Sequence, residues 1–258
     1  GNKNYNIQNN TILCKDNNGI RISYIKVPGE IKIYNNLRQG ESRQRLLFEY
    51  GEFEQNLIIG KNNDCYFPKG IKMENNTSLI VEEGSNLYIG KDKKIEGNYY
   101  LNGTEQENIN VKSINEGEYW SKIHGSIEAN YTNISDLQGL GTGENNSFMD
   151  IYGILSFNHV NMTNIKGYGI LCLGNTSIIE NSNVPARVKT ISKKNIFRNS
   201  NLGNRMMLID VGNTNTNSIL IENNTMGNIQ IVHMPNANTL IRNNTLTDEA
   251  QRPIVISE

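Results

Sequence analysis

Alanine, the strongest helix former, occurs only four times in 258 residues. A helical protein of this size is close to excluded, because asparagine, the commonest residue at 44, prefers turns and caps to helix interiors. Cysteine is equally sparse. Cys14, Cys65 and Cys172 are too few and too scattered for a disulfide framework or a CxxC metal knuckle, which leaves a Cys14–Cys65 bridge or buried free thiols as the open readings. His124, His159 and His233 show no metal-ligand spacing, so neither a metal nor a cofactor is expected. No charge predominates: 25 cationic and 26 anionic residues are interspersed, without the basic stripe that a nucleic acid or an anionic membrane requires. Apolar runs such as Ile170-Leu171-Cys172-Leu173 stop far short of a membrane span. The opening Gly1-Asn2-Lys3-Asn4-Tyr5 has no signal-peptide core, although a leader removed during processing leaves no trace.

What the chain does have is isoleucine, 34 copies of it, and β-branched side chains suit a pleated, buried surface. The expected class is all-β, and an all-β chain of this length commonly forms a single domain. The asparagines are not scattered. A phrase of two apolar residues, a polar residue, Asn, two polar residues and an apolar residue recurs as Ile178–Val184, Ile196–Leu202, Leu220–Met226 and Leu240–Leu246. Looser copies read Ala129–Ile134 and Phe157–Met162. The closing apolar positions, 134, 162, 184, 202, 226 and 246, lie 18 to 28 residues apart, the period of one solenoid coil. Leucine-rich repeats have a similar period but need several leucines at fixed offsets and usually a helical segment, so a parallel β-helix fits better. Asn at the bend tolerates left-handed backbone geometry and bonds to local backbone. Stacked on successive coils, Asn181, Asn199, Asn223 and Asn243 are expected to form an amide ladder.

Further upstream, Tyr66-Phe67-Pro68-Lys69-Gly70-Ile71, Ser78–Gly84, Leu87-Tyr88-Ile89, Ile95–Thr104 and Tyr119-Trp120-Ser121-Lys122-Ile123 follow in order. This succession resembles the entry coils of secreted proteins of the pectate-lyase-like superfamily. The resemblance implies a single-chain right-handed parallel β-helix over roughly residues 65 to 250 and an extracellular or cell-surface location. The Asn- and Ile-rich character is also similar to that of the tapirins, cellulose-binding adhesins with a β-helix core; that likeness rests on composition and architecture, not on a shared motif. Residues 65–258 are therefore assigned to the β-helix and 1–64 to an N-terminal cap with irregular first coils, continuous with it. Within 1–64, Ile20–Val27 and Leu46–Gly51 alternate as strands, and Asn35–Arg43 reads as an exposed loop.

Enzymes on this fold need converging carboxylates, either around calcium with a Lys or Arg base or as a pair across a sugar. Only seven Asp occur, none adjacent or separated by one residue. Asp136 and Asp150, flanking the loop Gly139–Glu144, are the best placed. His124-Gly125-Ser126 is similar to the His-Gly segment of polygalacturonases, but that family's upstream Asp pair and downstream Arg-x-Lys are missing. No catalytic residue is assigned. Outward aromatics carry the alternative. If Leu87, Ile89, Tyr99 and Leu101 face inward, Tyr88 and Tyr100 face out, and Tyr131 joins them from its own phrase. Tyr rings stack on sugars while Asn, Gln and Thr bond to hydroxyls, so Tyr88, Tyr100 and Tyr131 are the expected carbohydrate contacts. Trp120 is expected to pack or anchor a loop. The leading functional expectation is non-catalytic attachment to an extended polysaccharide such as cellulose or another cell-wall glycan. A β-helix polysaccharide lyase or hydrolase, or a structural stalk or tail-spike segment, is the alternative.

Overall fold

The structure, a computed structural model, describes residues 3–8, 11–12, 20–22, 29–34, 37–38, 43–74, 76–139, 146–203, 205–210, 218–232, 238–247 and 254–257. It divides into two compact units: unit 1, Gly1–Ser121 with Ala129–Leu137, and unit 2, Lys122–Glu128 with Gln138–Glu258. Both are parallel β-solenoid, about nine turns in all. The described residues contain no α-helix, and hence none long and apolar enough to cross a membrane.

Unit 1 winds between two main strand stacks. In one, Gln44–Phe48, Asn63–Phe67, Asn86–Ile89 and Ile109–Ser113 pair in parallel register, followed by residues 132–134 of the strand Ile123–Ser135. In the other, Lys3–Gln8, Gly29–Tyr34, Asn56–Ile59, Ser78–Glu82 and Ile95–Asn102 pair likewise. A third, shorter stack is made by Glu52–Phe53, Ile71–Met73 and the start of Ile95–Asn102. Alternation decides which side chains enter the core: Leu57, Ile59, Leu79, Val81, Leu87, Ile89, Tyr99 and Leu101 are all buried. Each such burial contributes roughly 1.5–3 kcal/mol. Phe48 and Phe67, on neighbouring coils, stack at 4.4 Å, with Phe53 edge-on to both. Trp120 is fully buried and its indole N–H donates to the Ser135 carbonyl at 2.7 Å, so it both packs and anchors. Residues 37–38, expected in a loop, pair as a short strand with Thr11–Ile12; a two-residue ladder leaves no alternation to read in the sequence.

Unit 2 repeats the plan. The middle of Met149–Thr163, residues 154–158, pairs with Thr176–Glu180, followed by Lys194–Arg198, Ser218–Glu222 and Asn238–Arg242. The start of Met149–Thr163 pairs with Gly169–Cys172, followed by Arg187–Thr190, Met206–Asp210, Asn228–Val232 and Ile254–Ser257. Phe148, Phe157 and Phe197 fill the interior, with a buried hydroxyl and amide cluster of Ser177, Thr190, Ser192 and Asn195 that satisfies its own hydrogen bonds. Cys65 and Cys172 are fully buried, and burial raises both thiols, Cys172 to about 12. Cys14 lies outside the described residues.

Candidate ligand-binding surface

The recurring phrase folds as one bend. Asn181, Asn199, Asn223 and Asn243 all sit in the left-handed region, with φ between 51° and 56°. The next residue turns inward and bonds back to local backbone: Ser182 Oγ donates to the Glu180 carbonyl, Ser200 Oγ to that of Arg198 and Asn244 Nδ2 to that of Arg242. Three of the four amides expected in a ladder stack in one, and Asn158 extends it. Asn199 donates to Asn181 and Asn223 to Asn199, each at 3.1 Å, and Asn181 donates to Asn158 at 3.0 Å. A second ladder, two residues further along the phrase, runs Asn201 to Asn183 to Asn161. Sequence reading missed it, although part of its signal was present: Asn183 and Asn201 both stand two residues after the bend Asn, where the last two phrases have Thr225 and Thr245.

Unit 1 carries the equivalent of that second ladder on its outer face. Asn133 donates to Asn110 at 2.9 Å, Asn110 to Asn86 at 2.7 Å and Asn86 to Asp64 at 2.7 Å. Arg43 closes the row with an ion pair to Asp64 at 2.9 Å. Asn86 and Asn110 each donate to one neighbour and accept from the next, and the Asn86 side chain also bonds to Tyr88. The spacing is that of the strands, about 4.8 Å.

Beside the ladder runs an aromatic column. Tyr66 and Tyr88, in register on neighbouring coils, stack at 4.5 Å with 7° between ring planes. The Arg45 guanidinium lies 4.3 Å from the Tyr66 ring centre and the Lys112 ammonium 5.2 Å from that of Tyr88. Both faces of Tyr88 are therefore covered, and it presents its rim, not a flat platform. Partial burial raises both phenols. The three tyrosines expected to contact sugar occupy three settings. Tyr88 lies in the stack that carries the ladder. Tyr100 projects from the other stack, 38% exposed, between Asn98 and Asn102 on its strand. Tyr131 sits at the bend before Asn133 with φ of 42°, the left-handed position that Asn fills in unit 2.

The two carboxylates best placed in the sequence lie apart in different settings. Asp150 is buried, paired with Lys122 and accepting from Ser147 Oγ. Asp136 takes a left-handed turn and its carbonyl accepts the Trp120 amide. His124 instead contacts the ring of Tyr152, 4.8 Å between centres; Tyr152 is 53% exposed and was not singled out from sequence. On the third face of unit 1 a cleft of about 450 Å³ is lined by Tyr50, Glu52, Lys69, Lys72, Lys94 and Glu96. Lys72 there bonds to Glu74 at 2.7 Å, and this bond and charge raise its pKa, which holds it as an ammonium and not as a proton acceptor. Among the described residues no group of His, Cys, Asp and Glu is arranged to hold a metal ion. Comparison with known protein families, with curated proteins and with solved structures finds no match.

Proposed function

We propose that the chain is a non-catalytic attachment protein whose unit 1 binds an extended polysaccharide, such as cellulose or another cell-wall glycan, outside the cell. The observation that supports this reading best is the ladder Asp64–Asn86–Asn110–Asn133, bordered by Tyr88 on one side and Tyr131 on the other. A row of outward amides at even spacing suits the repeating hydroxyls of a linear glycan, and tyrosine rims add apolar contact. Tyr100, across the bend, supplies the exposed ring that could stack on a sugar. The test is retention on insoluble cellulose and on a panel of immobilised glycans. Wild type is retained; Asn86→Ala with Asn110→Ala, and Tyr100→Ala, each weaken retention several-fold. Failure to bind any glycan in a broad panel overturns the proposal. The alternative of a polysaccharide lyase or hydrolase would draw on the cleft with Glu52 and Glu96, and release of reducing or unsaturated ends from that panel would establish it.

A further inference from the structure

The outer face of unit 2 differs in kind. Four strands, Thr176–Glu180, Lys194–Arg198, Ser218–Glu222 and Asn238–Arg242, align all five residues of each with the next. Their last residues form an in-register run of four charges, Glu180, Arg198, Glu222, Arg242, alternating at every step, which the neutral Asn158 of the preceding strand extends beyond Glu180. Arg198 pairs with Glu180 and Arg242 with Glu222, both at 2.6 Å. Two residues back on each strand lies an aliphatic column, Ile178, Ile196, Leu220 and Leu240, pointing outward; Leu240 is 46% exposed.

We propose that this face is a self-association surface, at which a second copy of the chain packs face to face about a two-fold axis parallel to the strands. That operation keeps position along the strand and reverses strand order. An alternating column with an even number of members becomes its own complement when reversed. Glu180 then faces the partner's Arg242, and Arg198 the partner's Glu222. The aliphatic columns meet as well, Ile178 against the partner's Leu240 and Ile196 against the partner's Leu220. A two-fold axis perpendicular to the strands would instead set Glu180 against the partner's Thr176, with no charge match. The interface is isologous, the commonest kind in homodimers, and two twisted sheets pack this way with strands about 30° apart. The corresponding column in unit 1 reads Lys32, Ile58, Ile80 and Tyr100, beside Glu82 and Asn102, and is not self-complementary.

Size sets the strength. Four strands of five residues cover about 19 by 16 Å, roughly 300 Å² per copy, against the ~800 Å² per partner of a standard interface. The dimer is therefore weak and concentration-dependent, with Kd in the micromolar to millimolar range. The test is sedimentation of the whole chain over that range. Wild type approaches twice the chain mass. Glu180→Arg with Glu222→Arg makes the column all cationic, and Arg198→Glu with Arg242→Glu makes it all anionic. Each double variant alone sediments as a monomer, and an equimolar mixture of the two regains the dimer. Leu240→Asp, at the most exposed aliphatic position, keeps the wild-type circular dichroism and loses association at least tenfold, so it decides the matter should either charge variant fail to fold. Wild type remaining monomeric at about 1 mM, or a dimer that Leu240→Asp leaves unchanged, overturns the proposal.

Discussion

Both units turn the chain with the same bend but staff it differently. In unit 2 the left-handed position holds His159 and then Asn181, Asn199, Asn223 and Asn243; in unit 1 it holds Asn62, Gly84 and Tyr131. The next residue is buried in both, as Ser182, Ser200 and Asn224 or as Asn63, Ser85 and Thr132. Thr132 Oγ1 donates to the Asn130 carbonyl at 2.9 Å, the same return contact that Ser182 and Ser200 make. The bend therefore demands a backbone that tolerates positive φ, not asparagine as such, and a small polar group stands behind it in every case but Val160 after His159. What stands outside the bend is free to diverge. Unit 1 places a tyrosine column beside its amide ladder, and unit 2 places alternating charges beside an aliphatic row.

The largest test of this division is Trp120→Ala. It leaves a cavity and an orphaned Ser135 carbonyl in unit 1 and is expected to cost about 3–5 kcal/mol, with hydrogen exchange accelerating in unit 1 residues first. Asn224→Leu is the counterpart in unit 2. It strips a buried amide from the Ser200 amide and the Phe197 carbonyl, while Asn244 Oδ1 keeps the Asn224 backbone N–H, and is expected to cost about 1–3 kcal/mol, read by urea melts. Alkaline pH acts on both units through their thiols. Their folded pKa values are raised, so this contribution is fully present below the unfolded value near 8.5 and is lost as pH rises. For Cys172 the loss runs to about 12, at roughly 1.4 kcal/mol per pH unit. Cys172→Ser should flatten that part of the pH dependence, and an unchanged profile would remove Cys172 from the account. Tyr131→Asn gives unit 1 the residue of unit 2 at the bend and should raise stability by about 1 kcal/mol, while lowering glycan retention if the proposed surface is right. Smallest is Arg242→Gln, whose pair with Glu222 is exposed and worth at most about 0.5 kcal/mol, so thermal unfolding should barely move.

The architecture was legible because its signal is periodic. A recurring Ile–Ile–x–Asn phrase fixes one residue at positive φ per coil, and strand alternation correctly turned Leu87, Ile89, Tyr99 and Leu101 inward. The proposed surface was legible only in part. Tyr88 and Tyr100 do face outward, yet the stacking of Tyr88 between Tyr66 and Lys112 depends on register between coils 22 and 24 residues apart, which loop lengths set and local sequence does not. The same holds for Asp64 at the foot of the ladder and for the approach of Lys72 to Glu52.

Four alanines, 44 asparagines and a phrase returning every coil determined by themselves that this chain is an all-β solenoid with asparagine at its bends. Propensity and periodicity are local properties, and a solenoid is built by repeating local structure. Which outward side chains become neighbours was decided only by the tertiary structure. Contacts across coils arise from the vertical register, and that register turned single residues into an amide ladder, a covered tyrosine pair and a column of alternating charge.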